Sequence, residues 1–411
     1  CLSDYCTFGR VTNHPPCATG GVRFAKMQRK EVKMTGSGPL KGLRIVEMAG
    51  LGPAPLAGQL LADLGAEVIS VDRKSGAADP TDINRRNKRS VAFNLKSAGG
   101  AEACQKLIAS ADVLIEGFRP GVMERLQLGP AEMLARNPKL IYARMTGWGQ
   151  SGPWAHRAGH DINYISLSGA LHAIGTRESG PVPPLNLVGD YGGGTMFLIF
   201  GILAAVIERQ TSGRGQVVDA AMVDGVAALM SVFNMMKARD EWGDQRESNL
   251  LDGGAPFYRC YETADGKAMA VGPIEPQFFA EFCALLGVPG ITPDVQNNRE
   301  MWPRLTEQFA TAFRQKSRNE WGAIFDGSDA CVTEVLSLTE SEDHPHLKSR
   351  GTYVRGSDGV TQPAPAPRFA RTPAPQPMPP GAAGKDTDPV LVQLGYTPEA
   401  IAELRNCGAL T

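Results

Sequence analysis

The residues best suited to chemistry lie between Gly159 and Gly194, where GHDINYISLSG is followed by PLNLVGDYGGG. This stretch sets His160 and the carboxylates Asp161, Glu178 and Asp190 in apolar, glycine-rich surroundings. An imidazole titrates near neutral pH, and a carboxyl in an apolar, water-poor setting is raised toward the same range. His160 and Asp190 could therefore take a proton from one face of a carbon and return one to the other. Gly192 to Gly194 lack a Cβ, which lets the backbone approach a ligand or a neighbouring helix. Each residue alone also has a plainer reading, His160 as a satisfied structural histidine and Asp190 as the cap of a glycine-rich turn. Glu275, in VGPIEPQFF, stands between a strand and a helix, where it either caps the helix or points into a cleft. His156, His172, His344 and His346 have no partner pattern and read as surface or core residues.

Other chemistries lack their motifs. No GxSxG, GxxxxGK[ST] or HExxH occurs. The eight cysteines include no CxxC pair and no Cys/His spacing suited to zinc, so neither a metal site nor a disulfide framework is expected. A net charge of -1 carries no basic footprint for nucleic acid, which points to a small-molecule partner. Any polyanionic ligand must then meet a local cluster of Arg and Lys.

The elements that position these residues begin near Gly42. LRIVEMA (43–49) reads as a strand, GLGPAP (50–55) as a turn, LAGQLLADLG (56–65) as a helix and AEVISVDR (66–73) as a strand, a βαβ unit. Gly50 and Gly52 with Asp72 imitate a dinucleotide fingerprint, but Pro53 and Pro55 break it, so a Rossmann-like half without NAD is expected. VAFNL (91–95), DVLIEGF (112–118), LIYARM within the segment that follows, and QVVDAAM continue the alternation of strand and helix. The expected fold is α/β, a doubly wound parallel sheet whose ligands sit beyond the carboxyl ends of the strands. Glu116, Arg119 and Gly147 fall at or just after such ends. Arg73, Lys74, Arg85, Arg86, Lys88, Arg89 and Lys96 crowd together, either as a solvated face or as partners for the phosphates of a nucleotide-like ligand.

The apolar run Met196–Val206 reads as a buried helix too short to span a bilayer, so no membrane partner is expected. After it, 255–272 reads as a hairpin, and helices near 276–286, 302–315 and 318–326 complete a smaller α+β domain. The proline-rich stretch 363–380 is an extended strap. The domain plan is therefore an atypical extension over 1–37, disordered or non-native with Met34 as a plausible start, then a large domain over 38–236. A linker (237–254), a small domain (255–345), and a strap with a terminal helix returning to the large domain (346–411) follow. The C-terminal GALT carries no SKL-type signal, and the cytoplasm is the expected compartment.

In order and spacing, GLRIVEMAGLGPAPLAGQLLADLGAEVISVDR, NRRNKRSVAFNLK, GHDINYISLSG, PLNLVGDYGGG, LDGGAPFY, VGPIEPQFF and DACVTEVLSL resemble the α-methylacyl-CoA racemase family of the class III CoA-transferase superfamily. The resemblance runs from about residue 39 to the final helix. It implies inversion at the α-carbon of 2-methylacyl-CoA thioesters by 1,1-proton transfer through an enolate, with His160 and Asp190 as the two acid/base groups. Glu275 resembles a further active-site glutamate, contributed either by the same subunit or by its partner. Arg73, the segment Phe93, Asn94, Leu95 and Lys96, and Arg119 match CoA-contacting positions. Gly159, Asp161, Ile162, Asn163 and Tyr164 match the substrate-binding turn, where backbone N–H groups near Asp161 would meet the enolate charge. The resemblance implies no redox cofactor and no metal, CoA being part of the substrate, and an interlocked homodimer in which strap and linkers wrap the neighbour. The alternative is a CoA-transferase in which Asp190 forms an aspartyl-CoA thioester. His160 favours proton transfer, since that chemistry needs a second base and the transferase does not. A CoA-binding scaffold without turnover needs neither His160 nor Asp190, and an NAD-dependent dehydrogenase meets the proline objection.

Overall fold

Six short runs carry Val, Ile, Leu or Ala; five are buried along most of their length, as strands covered on two sides must be, and the last only over its final two residues. In the computed structural model, which describes residues 37–411, they are β1 (Arg44–Met48), β2 (Glu67–Asp72), β3 (Arg89–Ala92), β4 (Val113–Glu116), β5 (Ile141–Thr146) and β6 (Val217–Ala221). Residues 1–36 of the expected N-terminal extension lie outside the described part. All five pairings are parallel and the order is β3-β2-β1-β4-β5-β6. The chain doubles back between β1 and β4, the place where such sheets leave a crevice beyond their carboxyl ends.

The turn expected over 50–55 is confined to 50–52, and the helix starts at Pro53. Helix Pro53–Asp63 carries its two prolines in the first turn, where a missing N–H leaves no intrahelical bond unmade.

The basic cluster divides into two groups. Arg85 pairs with Asp72 at 2.7 Å and Arg89 with Glu67 at 2.8 Å. Lys88 Nζ meets Glu47 at 2.7 Å and the Pro55 carbonyl at 2.8 Å, in a site where burial pushes the Glu47 carboxyl up and the lysine draws it back. Arg86, 1% exposed, meets the buried Asp63 at 2.6 Å and donates to Gln362 Oε1 and the Pro363 carbonyl, both at 2.8 Å. These four cations hold the sheet, its first helix and the strap together and are not available to phosphate. Arg73, Lys74 and Lys96 remain exposed.

Beyond the short strand Thr361–Pro363, the strap to residue 380 forms no helix or strand. Met378 N donates to Asn87 Oδ1 at 2.7 Å, so the strap is fastened to its own chain. The last helices, Thr387–Gln393 and Pro398–Asn406, then cap β3. Asp386 Oδ2 and Thr387 Oγ1 accept the N–H groups of Ser90 and Ala92 at 2.9 and 3.0 Å. Val390, Leu391, Leu394, Ile401 and Leu410 join the core of the parallel sheet.

The apolar helix is longer than its sequence suggests. A π-helical segment, Leu187–Met196, runs directly into helix Phe197–Ser212, 26 residues that by length and composition alone are enough to cross a bilayer. Leu198, Ile202 and Ala205 are buried, and Arg209 ties the far end to the carbonyls of Asp112 and Lys139.

By their contacts the described residues form two units, one of 37–157, 194–221 and 354–411, the other of 158–193 and 222–353. Residues 158–193 and 222–236, assigned from sequence to the large domain, group with the second unit. That unit holds the antiparallel sheet β7 (Arg259–Glu262), β8 (Ala268–Val271) and β9 (Val332–Glu334), in the order β9-β8-β7. Helices Pro276–Leu286, Trp302–Phe313 and Arg318–Phe325 cover it around Phe279, Phe282, Phe309, Phe313 and Trp321. The stretch expected as a linker is a folded loop. Asn249, 1% exposed, accepts Gly243 N at 2.8 Å and donates to Gly243 O at 2.9 Å and Asp252 Oδ2 at 2.8 Å.

Candidate active site

His160, Asp161 and Asp190 come together within the second unit. His160 is the N-cap residue of helix Asp161–Leu167, and Asn163 Oδ1 reaches back to accept its backbone N–H at 3.0 Å. Asn163 does that capping work, and the imidazole stays exposed. Tyr164 is buried, Ile162 is 43% exposed and Gly159 is half-buried. Asp161, at the first helical position, is buried; its Oδ2 accepts the N–H groups of Gly189 and Asp190, each at 2.7 Å.

Asp190 sits in the π-helical segment, whose wide turns are a recurrent feature of functional sites. Helix Met222–Leu229 packs against it so closely that a Cβ on Gly225 would stand 1.9 Å from the Gly193 carbonyl oxygen. Gly225→Ala must push the segment aside. Overpacking of this kind costs about 1–3 kcal/mol, and urea unfolding should show a lowered midpoint with an unchanged slope.

The Asp190 carboxyl is half-buried and accepts Asn186 Nδ2 at 3.2 Å. Burial is the main cause that pushes it above the usual carboxylate range; the Asn186 hydrogen bond works against this, the Asp161 charge adds to it and His160 draws it down. The pair is thus electrostatically linked. An exposed imidazole and a carboxyl that holds its proton longer than a free aspartate can carry protons in opposite directions.

Glu275 lies in the same unit. It occupies the N-cap position of helix Pro276–Leu286 without making a side-chain cap bond, lies exposed, and its charge adds to the burial that raises the Cys331 thiol.

The residues matched to CoA contacts belong to the first unit. Arg73 is exposed just beyond β2 and Arg119 just beyond β4, the two strands that flank β1, each following a carboxyl end. The Arg119 loop is stiffened by Glu116, which accepts Phe118 N at 2.8 Å and is held by Arg144 at 2.7 Å. Asn94 donates to the Gly408 carbonyl at 3.0 Å, Leu95 packs against the core and Lys96 is exposed. Phe93 is 1% exposed, so its ring is core and not a contact surface. Sequence reasoning named Asp161 among the carboxylates and the substrate-binding positions but missed the anchoring role of its side chain. An acidic residue opening a helix is ordinary, and nothing in its spacing signals that it holds a second segment.

The parallel sheet with a smaller α+β unit defines a mixed α/β protein of known architecture. It superposes on a CAIB/BAIF family protein from Brucella suis with a TM-score of 0.74 at 23% identity, over 87% of this chain and 100% of that one. Residues 40–387 match CoA-transferase family III, and the chain belongs to that family. Within it, the chain is 46% identical to mouse and 43% identical to human alpha-methylacyl-CoA racemase, each over 89% of this chain and 96% of the relative.

Proposed function

We propose that this protein is an isomerase that inverts the α-carbon of 2-methylacyl-CoA thioesters, with His160 and Asp190 as its two proton carriers. The observation that carries the reading is the exposed imidazole of His160 acting on the raised, half-buried carboxyl of Asp190. One group takes the α-proton and the electron pair of that C–H bond moves onto the thioester carbonyl, giving an enolate. The other group then delivers a proton to the opposite face, and the carbonyl re-forms. No electron leaves the substrate, so this chemistry calls for no redox cofactor. Near-range backbone N–H groups suit the developing enolate oxygen.

The CoA moiety is assigned to Arg73, Asn94, Lys96 and Arg119. Arg73→Ala should raise KM for the acyl-CoA about tenfold with kcat nearly unchanged, the signature of lost uniform binding; steady-state kinetics on a single epimer decides it. A homodimer belongs to this reading as well. The exposed Phe200 (70%) and Ile207 (66%), on a helix that buries only Leu198, Ile202 and Ala205, supply apolar surface for a second copy.

The test is one pure 2-methylacyl-CoA epimer in deuterated water, followed for epimer ratio and α-deuterium together. Inversion with α-deuterium incorporation is expected. Transfer of CoA to an added carboxylic acid without α-exchange would replace this reading with an aspartyl-CoA transferase built on Asp190.

A further inference from the structure

Asp161 spends its side chain outside its own helix. Oδ2 takes the N–H groups of Gly189 and Asp190 at 2.7 Å each, in the first turn of the π-helical segment, where no earlier helical carbonyl is in reach. The fit is close enough that a Cβ on Gly189 would lie 2.5 Å from Oδ2. The second oxygen, Oδ1, is buried with no hydrogen-bond partner among the described residues. A buried carboxylate oxygen left without a partner costs stability. An asparagine in the same shape could keep the anchoring oxygen without burying a charge, so capping alone does not account for a carboxylate here.

We propose that Asp161 is the positioning residue for Asp190: its carboxylate anchors the backbone that carries Asp190 and keeps a negative charge beside that carboxyl. The inference rests on Asp190 being a proton carrier and deepens that reading. Two short charge-assisted hydrogen bonds, one to Asp190 itself and one to its neighbour, set the Cα from which the side chain projects. A displacement of about 1 Å at such a group can cost about 100-fold in rate. Among the groups that bear on Asp190 are Asp161, His160 and the Asn186 amide. Of these only Asp161 brings a negative charge; it pushes Asp190 toward its protonated form, in the same direction as burial, while His160 pushes the other way.

Two variants separate anchoring from charge. Asp161→Asn keeps an oxygen for both N–H groups and removes the charge, whereas Asp161→Ala removes both. In the full-length protein with 13C-labelled aspartate, the Asp190 carboxyl resonance, assigned by its loss in Asp190→Asn, should titrate at lower pH in Asp161→Asn than in the unaltered protein. An unshifted titration overturns the charge role whether or not the protein is a racemase. In α-exchange kinetics Asp161→Ala should lose about 100-fold in kcat with KM for the acyl-CoA within about threefold, and Asp161→Asn should recover most of that loss. An alanine variant that melts normally and turns over within about threefold of the unaltered enzyme overturns the anchoring role. If the unaltered protein neither inverts nor exchanges, the racemase reading fails by itself, and the titration still decides the Asp161–Asp190 coupling.

Discussion

Alanine at His160 or at Asp190 is expected to lower inversion of a 2-methylacyl-CoA by about a thousandfold or more, within the range that single acid/base groups contribute. Affinity for free CoA should stay within a few-fold, because the charged residues assigned to CoA lie in the other unit of the chain. The two variants should also differ in a way that a merely damaged enzyme would not. Each keeps the group that serves one face, so each should still exchange the α-proton of one epimer with solvent, slowly and without inverting it. Exchange followed by mass spectrometry on both epimers checks this, and normal turnover in either variant removes that residue from the mechanism. The raised Asp190 carboxyl adds a direction in pH. The half-reaction that needs Asp190 protonated declines as pH rises through its pKa, and because burial has moved that pKa up, the decline begins at higher pH than for an ordinary aspartate.

The second large effect concerns stability. Arg86→Ala strips a fully buried cation from Asp63 and frees Gln362 and the Pro363 carbonyl at the same stroke. Removing one partner of a buried pair strands the other in a poor solvent for charge, at a cost of about 3–5 kcal/mol. Equilibrium unfolding should register this loss, and limited proteolysis should find the strap cut near residue 363 earlier than in the unaltered protein. A variant with an unchanged midpoint would mean that water reaches Asp63 and that the strap is held by other contacts. Arg86→Met keeps the volume and still strands Asp63, so it should be nearly as destabilised. The double change Arg86→Met with Asp63→Leu should recover much of the loss.

Much of the parallel sheet is legible in the chain because its strands are short apolar runs punctuated by glycine, a pattern that burial on both faces imposes. The hairpin around Gly266 and the three helices after it are legible for the same reason, since each has its own period and its own stop signals. What escapes is anything decided by a partner distant in sequence. Arg86 and Lys88 look like surface cations until Asp63 and Glu47 are placed beside them, and their neighbours Arg73 and Lys96 look no different in sequence. Pro53 and Pro55 mimic a turn because proline signals both a stop and a first helical turn, and only the following residues distinguish the two. The π-helical segment has no periodic signature of its own; its glycines announce a close approach without saying to what. His160 and Asp190 could be singled out by residue type, but the Asp161 carboxylate that links their segments could not.

The path of the chain through the first unit also bears on how the molecule comes into being. Strands β1 to β5 emerge from the ribosome before residue 150, yet β6 follows only after 158–193 has been made. The helices that cap β3 come after the whole of 222–353. Until residues 386–410 are synthesised, the N–H groups of Ser90 and Ala92 lack their acceptors and the apolar seat of Val390, Leu391 and Ile401 lies bare. A nascent sheet with an open edge is a template for pairing with other chains. The antiparallel unit is contiguous in its larger part and can close on itself while its older neighbour waits, so the first strands to be made belong to the last core to be completed.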